Sequence, residues 1–186
     1  MQAVVQAAQK EQWRDRFGVG IACVISNRAD ALGLATAQSL GVATQAIDHK
    51  QFKSREAFDA ALQTAVDSYQ PALVVLAGFM RILMPAFVAH YAGRLINIHP
   101  SLLPAFAGLN THQRAIDAGC KVAGATVHWV TDEVDGGGIV AQAAVPVLPG
   151  DTADTLAARV LAQEHMLYPQ AVKNVLQGLT KALDRN

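Results

Sequence analysis

The stretch Leu95-Ile96-Asn97-Ile98-His99-Pro100 limits what this chain can fold into more than any other part of it. Its aliphatic and β-branched residues read as a buried strand, and alternate side chains of a strand share a face. Asn97 and His99 therefore point one way while Ile96 and Ile98 point the other. Pro100 cannot donate to a ladder, so the strand should stop near His99, at the carboxyl edge of its sheet. Open α/β sheets place their chemistry along that edge. A core His bonded to a backbone carbonyl beside a capping Asn is the plain structural explanation. The position favours another: the Asn97 amide can hydrogen-bond a developing oxyanion, and His99 can carry positive charge or move a proton.

Helices and strands alternate on both sides of this segment. Met1 to Trp13 has helical composition, and Val19 to Ile25 is an apolar run bounded by Gly18 and Ser26-Asn27, read as a buried strand with Cys23 in the core. A helix over Ala29 to Leu40 closes at Gly41, a short strand covers Val42 to Ile47, and Ser54 caps a helix from Arg55 to Tyr69. Leu73 to Ala77 reads as another buried strand, Pro85 opens a helix to about Ala92, and a further helix runs from about His112 to Ala118. Two β-rich runs, Gly124 to Thr131 and Ile139 to Val147, flank a Gly-rich connection and predict an antiparallel hairpin. A long amphipathic helix from about Thr152 to Leu176, with Asp151 as N-cap, closes the chain. The expected fold is α/β: a mostly parallel, doubly wound sheet with an antiparallel C-terminal hairpin and a long C-terminal helix.

At 186 residues this reads as a single domain. A formal net charge of zero argues against a nucleic-acid groove or a polybasic membrane surface, since both need a local basic excess. Cys23 and Cys120 form no metal-ligand spacing, and neither a signal peptide nor a membrane-length apolar run is present. The composition predicts a cytoplasmic protein.

Three further groups of residues bear on chemistry. Asp135, ahead of Gly136-Gly137-Gly138, is a turn residue by position. If the adaptable loop folds Asp135 back to His99, its charge favours the imidazolium. Gly78-Phe79-Met80-Arg81-Ile82-Leu83 is either a hydrophobic lead-in to the next helix or a slot for a flat heterocycle, with apolar side chains against the ring faces. His112 and His128 complete the histidines of interest, but no HxH or HExxH spacing occurs, so no metal is expected.

Taken together, Asn97-Ile-His99-Pro-Ser-Leu-Leu-Pro104, Gly108-Leu, Thr111-His112, Gly124-Ala-Thr-Val-His128, Asp132-Glu-Val-Asp135-Gly-Gly, Leu76-Ala-Gly-Phe-Met-Arg-Ile-Leu83 and Gln163-Glu164-His165 resemble the phosphoribosylglycinamide formyltransferases, in order and in spacing. The resemblance implies a Rossmann-like formyltransferase fold. The implied reaction moves a formyl group from 10-formyltetrahydrofolate to the amine of glycinamide ribonucleotide, as a step of purine synthesis. It further implies Asn97, His99 and Asp135 as the catalytic set. Arg55, Met80, Arg81, Ile82, Leu83 and Asn97 would contact the reduced folate, together with Thr131, Asp132, Glu133, Val134 and Asp135. Gly78, Pro100 and Glu164 would hold the ribonucleotide.

Ala107 and Asn110 stand where Pro and His are expected in close relatives, and Gly138 where Pro is usual. The resemblance also implies a first strand and phosphate-binding loop ahead of Met1, so residues 1–186 read as an N-terminally shortened domain. The absent strand would leave a gap between Val19–Ile25 and Leu73–Ala77, and open edges of that kind invite a homodimer. Two other activities compete, hydrolysis of the same formyl donor and formylation of methionyl-tRNA. A catalytically impaired folate-binding fragment is the reading from a different class.

Overall fold

The computed structural model describes residues 1–183. In chain order the elements are α1 (Gln2–Lys10), α2 (Trp13–Phe17), β1 (Val24–Ser26), α3 (Leu32–Ser39), β2 (Thr44–Ala46), α4 (Arg55–Asp67), β3 (Val74–Leu76), α5 (Pro85–His90), β4 (Leu95–His99), α6 (Thr111–Asp117), β5 (Val122–Trp129), β6 (Ile139–Pro146) and α7 (Ala153–Leu183). Local chemistry explains several ends. The Ser54 hydroxyl accepts from the Ala57 amide, 3.2 Å away, at the start of α4. Pro85 opens α5, where a missing N–H costs nothing. The first expected helix is broken instead at Gln12, whose positive φ of 53° ends one helical course and starts another.

β1 pairs in parallel with β2, and β3 in parallel with β4, whereas β4–β5 and β5–β6 are antiparallel. Among the described residues the strands therefore form two sheets, β1-β2 and β3-β4-β5-β6. Between them lies a cavity of about 490 Å³ lined by Val19 to Asn27 on one side and Pro71 to Phe79 on the other. Val24 donates to the Ala43 carbonyl, the Ser26 carbonyl accepts from Ile47, and Val74 donates to the Arg94 carbonyl. These groups face β2 and β4, so the alternate backbone groups of Ile25 and Val75 turn toward the cavity. The two strands expected to flank a gap do flank one.

The gap also accounts for two corrections. The expected strand over Val19 to Ile25 shrinks to β1, with Cys23 half-buried ahead of it, and that over Leu73 to Ala77 shrinks to β3. Both are half-buried, because each has a partner on one edge only and strand length follows the paired ladder.

α7 straps the structure together. Buried Tyr168 donates its hydroxyl to the Leu76 carbonyl at 2.6 Å and lies 3.3 Å from the Ile96 carbonyl, joining the helix to the ends of β3 and β4. Val172 and Ala171 pack with Val4, Ala8, Trp13, Ile96 and Val127 in one core cluster. At the start of α7 the Thr152 hydroxyl, rather than the expected Asp151, accepts from the Thr155 amide at 3.3 Å. Asp151 is taken by the Leu148 amide at 2.7 Å and by Arg159, at 2.7 and 2.9 Å. That guanidinium, more than any other neighbour, holds the Asp151 carboxyl well below the usual carboxylate range.

At Gly124 a Cβ would collide with the Ala143 carbonyl oxygen and lie 2.8 Å from Leu102 Cδ2. Backbone cannot yield as a side chain can, so Gly124→Ala should cost about 1–3 kcal/mol, the usual cost of overpacking. Denaturant unfolding checks this, and an unchanged midpoint would show that the hairpin can shift freely.

Candidate active site

Antiparallel pairing sets Asn97 opposite His128 and His99 opposite Thr126. Directly opposed residues of one face lie within side-chain reach, so a four-residue polar cluster forms across two strands. His99, Thr126 and His128 are all buried. The Thr126 hydroxyl donates to the Ser101 carbonyl at 2.7 Å and accepts from the Leu103 amide at 3.0 Å and from Gln142 Nε2 at 2.9 Å. These bonds pin the chain immediately after His99 and Pro100, a service the sequence did not reveal.

The loop between β5 and β6 does fold back. Asp135 adopts a left-handed backbone, with φ 55°, and its Oδ2 accepts from the Gly108 amide at 2.9 Å. The same oxygen lies 3.3 Å from His99 Nδ1, while Oδ1 lies 3.6 Å from His128 Nε2. On its far side His99 Nε2 is 3.1 Å from the Phe106 carbonyl. Both ring nitrogens thus face acceptors, an arrangement that an imidazolium satisfies twice and a neutral ring only once. Asn97 is half-buried with its Nδ2 3.4 Å from His128 Nε2.

His128 belongs to the site though the sequence reading assigned it no role. The signal was its place two residues after Thr126 on a strand that pairs with β4, which needs the register to be known. Burial pushes the His128 ring down from its ordinary value, against the opposing pull of the Trp129 carbonyl and Asp135. His112 is likewise pushed down, by burial first and then by His99. Its Nε2 is buried without a hydrogen-bond partner among the described residues.

The loop from Gly78 to Leu83 stands at the carboxyl end of β3, beside this cluster. Gly78 takes a positive φ of 68°, and Met80 and Ile82 are 78% and 63% exposed. Two residues of α4 tether it: buried Asp59 accepts from the Met84 amide at 2.7 Å, and the Arg81 guanidinium lies 5.2 Å over the Phe58 ring. Leu83 packs inward on that same core. Thr131, Asp132, Glu133 and Val134 form an exposed rim leading to Asp135, and Arg55 is exposed at the first turn of α4. Glu164, on α7, is half-buried; desolvation raises its carboxyl, opposed by His165, His99 and the Met1 amine. The structure thus brings Asn97, His99 and Asp135 into one cluster with His128. It leaves Arg55 and the Thr131–Val134 rim outside that cluster. Among the described residues no group of three His, Cys, Asp or Glu side chains could hold a metal ion, and no helix is long and apolar enough to cross a membrane.

Buried His128 and half-buried His112, both with lowered values, give a pH dependence of known sign. Below about 6.5 the unfolded chain takes up protons on His112 and His128 before the folded chain does. Stability from these groups is therefore full above that pH and falls as the pH drops toward their folded values. Denaturation midpoints between pH 8 and pH 5 should decline, and His128→Gln should flatten the decline; an equal slope in the variant would contradict this account.

Comparison with known proteins accords with the geometry. The family model described as formyl transferase matches residues 1–172. The phosphoribosylglycinamide formyltransferase of Escherichia coli (strain K12) is 48% identical over 181 residues, covering 97% of this chain and 84% of that one. The bovine trifunctional purine biosynthetic protein adenosine-3 is 47% identical over 161 residues, although the chain spans only 16% of its length. Among solved structures, the phosphoribosylglycinamide formyltransferase of Brucella melitensis superimposes with a TM-score of 0.87 at 53% identity, over 95% of this chain and 88% of that one. Glycinamide ribonucleotide transformylase 1 of Symbiobacterium toebii gives 0.88 at 46% identity, over 95% and 84%. With its polar cluster at the sheet edge and its likeness running through almost every element, the chain belongs to the formyl transferase family, among the phosphoribosylglycinamide formyltransferases.

Proposed function

We propose that this chain transfers a formyl group from 10-formyltetrahydrofolate to the amine of glycinamide ribonucleotide, as a cytoplasmic step of purine synthesis. The observation that carries the proposal is the convergence of Asn97, His99 and Asp135 at the carboxyl edge of β4. The substrate amine attacks the formyl carbon, and the carbonyl oxygen becomes an oxyanion. An Asn97 N–H and the charged His99 ring stabilise it in a partly dry site, where such interactions are strong. The charged His99 ring gives a proton to the folate N10, the Asp135 carboxylate takes the amine proton and returns it to His99, the C–N10 bond breaks, and the formamide product and tetrahydrofolate leave. The 3.3 Å separation of His99 from Asp135 is loose enough for a proton to pass to a bound group and for the pair to re-form.

The exposed apolar side chains of Met80 and Ile82, with Leu83 beneath, suit the faces of the folate ring, while Arg81 closes the slot over Phe58. Arg55 offers a cation to the carboxylates of the folate tail. The exposed Thr131, Asp132, Glu133 and Val134, with Asp135, complete the folate contacts of this reading. In this reading Gly78, Pro100 and Glu164 serve the ribonucleotide, with Glu164 as acceptor for its hydroxyls. Hydrolysis of the same donor would use the same charges with water as nucleophile. Dependence on the ribonucleotide amine separates the two. His99→Ala should lose about 10²–10⁴ in turnover, the range for general acid–base groups, while folate binding persists. Assays with and without ribonucleotide, alongside folate titrations, test this; wild-type turnover in the variant would end the assignment.

We also propose that the cavity between β1 and β3 receives an apolar strand continuous with Met1, completing a single sheet and the domain. Facing backbone edges at Ile25 and Val75 support this, as do Met1, Val4 and Val5 at the cavity wall. Hydrogen exchange at the Ile25 and Val75 amides should be fast in residues 1–186 and protected once upstream residues are restored. Protection already present in residues 1–186 would refute it.

A further inference from the structure

His128 lies beside the reacting groups without a part in the reaction as written, and its surroundings define its chemical form. Its Nδ1 is 2.9 Å from the Trp129 carbonyl, an acceptor, so Nδ1 carries the proton. The ring is 2% exposed, and burial disfavours a second proton. Nε2 is then a bare lone pair. It faces two groups: the Asn97 amide at 3.4 Å and Asp135 Oδ1 at 3.6 Å.

An asparagine amide can turn end for end with almost no change of shape, and the two orientations differ only in which neighbours accept and which donate. Opposite a lone pair that already faces the Asp135 carboxylate, the NH₂ end of Asn97 is the favoured one; its oxygen there would add a second repulsion. At 3.4 Å the contact is long for a hydrogen bond but short enough to make that choice. With one N–H committed to His128, the other N–H of Asn97 is the donor left for the formyl oxygen. Turned over, Asn97 would offer its own oxygen to the oxyanion and oppose the reaction. The same neutral ring brings no charge to Asp135, so of the two imidazoles beside that carboxylate only His99 is left to answer its charge.

We propose that His128 is a positioning residue whose neutral, Nδ1-protonated ring orients the Asn97 amide and reserves the Asp135 charge for His99. This rests on the formyl-transfer reading above. Register carries the argument, since Asn97 and His128 are direct cross-strand partners and neither backbone can move without breaking the β4–β5 ladder.

The test has a spectroscopic arm independent of activity. Long-range ¹H–¹⁵N correlation of the His128 ring at neutral pH should show the neutral Nδ1–H tautomer; an Nε2–H tautomer or an imidazolium would overturn the proposal. The kinetic arm compares His128→Leu, which removes the acceptor, with His128→Gln, whose Oε1 restores one near the Nε2 position. His128→Leu should lower kcat by about 10–100-fold, somewhat less than losing an oxyanion donor outright, with KM for both substrates within about threefold. His128→Gln should recover to within about fivefold of wild type. In an Asn97→Ala background His128→Leu should cost little more, because a residue acting through Asn97 has nothing left to orient. Equal losses in the Leu and Gln variants, or additive losses in the double variant, would overturn the proposal. If His128→Leu fails to fold, the Gln variant and the ring spectrum still decide it. A wild-type chain that transfers no formyl group in the presence of ribonucleotide would count against the function instead, and the tautomer would still be read.

Discussion

The antiparallel pairing of β4 with β5 is the constraint on which the site depends. It places Asn97 against His128 and His99 against Thr126, and so gathers four polar side chains on one face of a largely apolar sheet. Burying such groups costs several kcal/mol each unless they are hydrogen-bonded, and the pairing supplies the partners. Thr126 makes three contacts, His128 is held by a carbonyl and an amide, and His99 lies between a carbonyl and a carboxylate. A slip of β5 by one residue would turn Thr126 and His128 to the opposite face, away from Asn97 and His99, and destroy both the bonding and the site. Stability and chemistry therefore depend on the same register.

Division of the strands into two sheets assigns the work between them. The sheet β3-β4-β5-β6 carries the polar cluster, the loop at Gly78 and the hairpin that delivers Asp135, and it packs on α7 through Tyr168, Val172, Leu156 and Val160. The β1-β2 pair carries none of these groups and is held by α1 and α3 through Val5, Ala37 and Val42. The cavity between them leaves the polar cluster in place, because no residue of that cluster lines it. What it weakens is the join between the halves, left to α1, α4, α7 and the apolar side chains around them.

Rigid and adaptable parts are also kept apart within the site. Asn97, His99 and His128 stand on strands, where backbone ladders fix them, whereas the proposed folate contacts other than Asn97 and Arg55 sit on two loops. The loop at Gly78 is tethered by Phe79 and Leu83 packed on the core, by Arg81 over Phe58 and by Asp59 at Met84, while Met80 and Ile82 stay exposed. Such an arrangement lets a ligand reshape its own slot without disturbing charges that must be in place beforehand.

Much of this was legible along the chain. β4 falls on Leu95–His99 as its alternation requires, the Ser54 cap and Pro85 start α4 and α5, and the glycine-rich hairpin returns Asp135 to His99. These features are local, set by periodicity, capping and the proline's missing N–H, so they survive without knowledge of neighbours. What only the tertiary structure decided depends on pairing. Val19 to Cys23 and the ends of Leu73–Ala77 have strand composition but no partner toward the cavity, so their strands stop short. Asp151 has the composition of a cap, yet Arg159, eight residues on, takes it. Asp59 carries no motif, and Gly124-Ala-Thr-Val-His128 contributes to the family resemblance without showing what Thr126 or His128 does. Their roles arise from the register of β5 on β4 and the packing of α4 under the loop, because a buried polar group acquires its function from the atom placed opposite it.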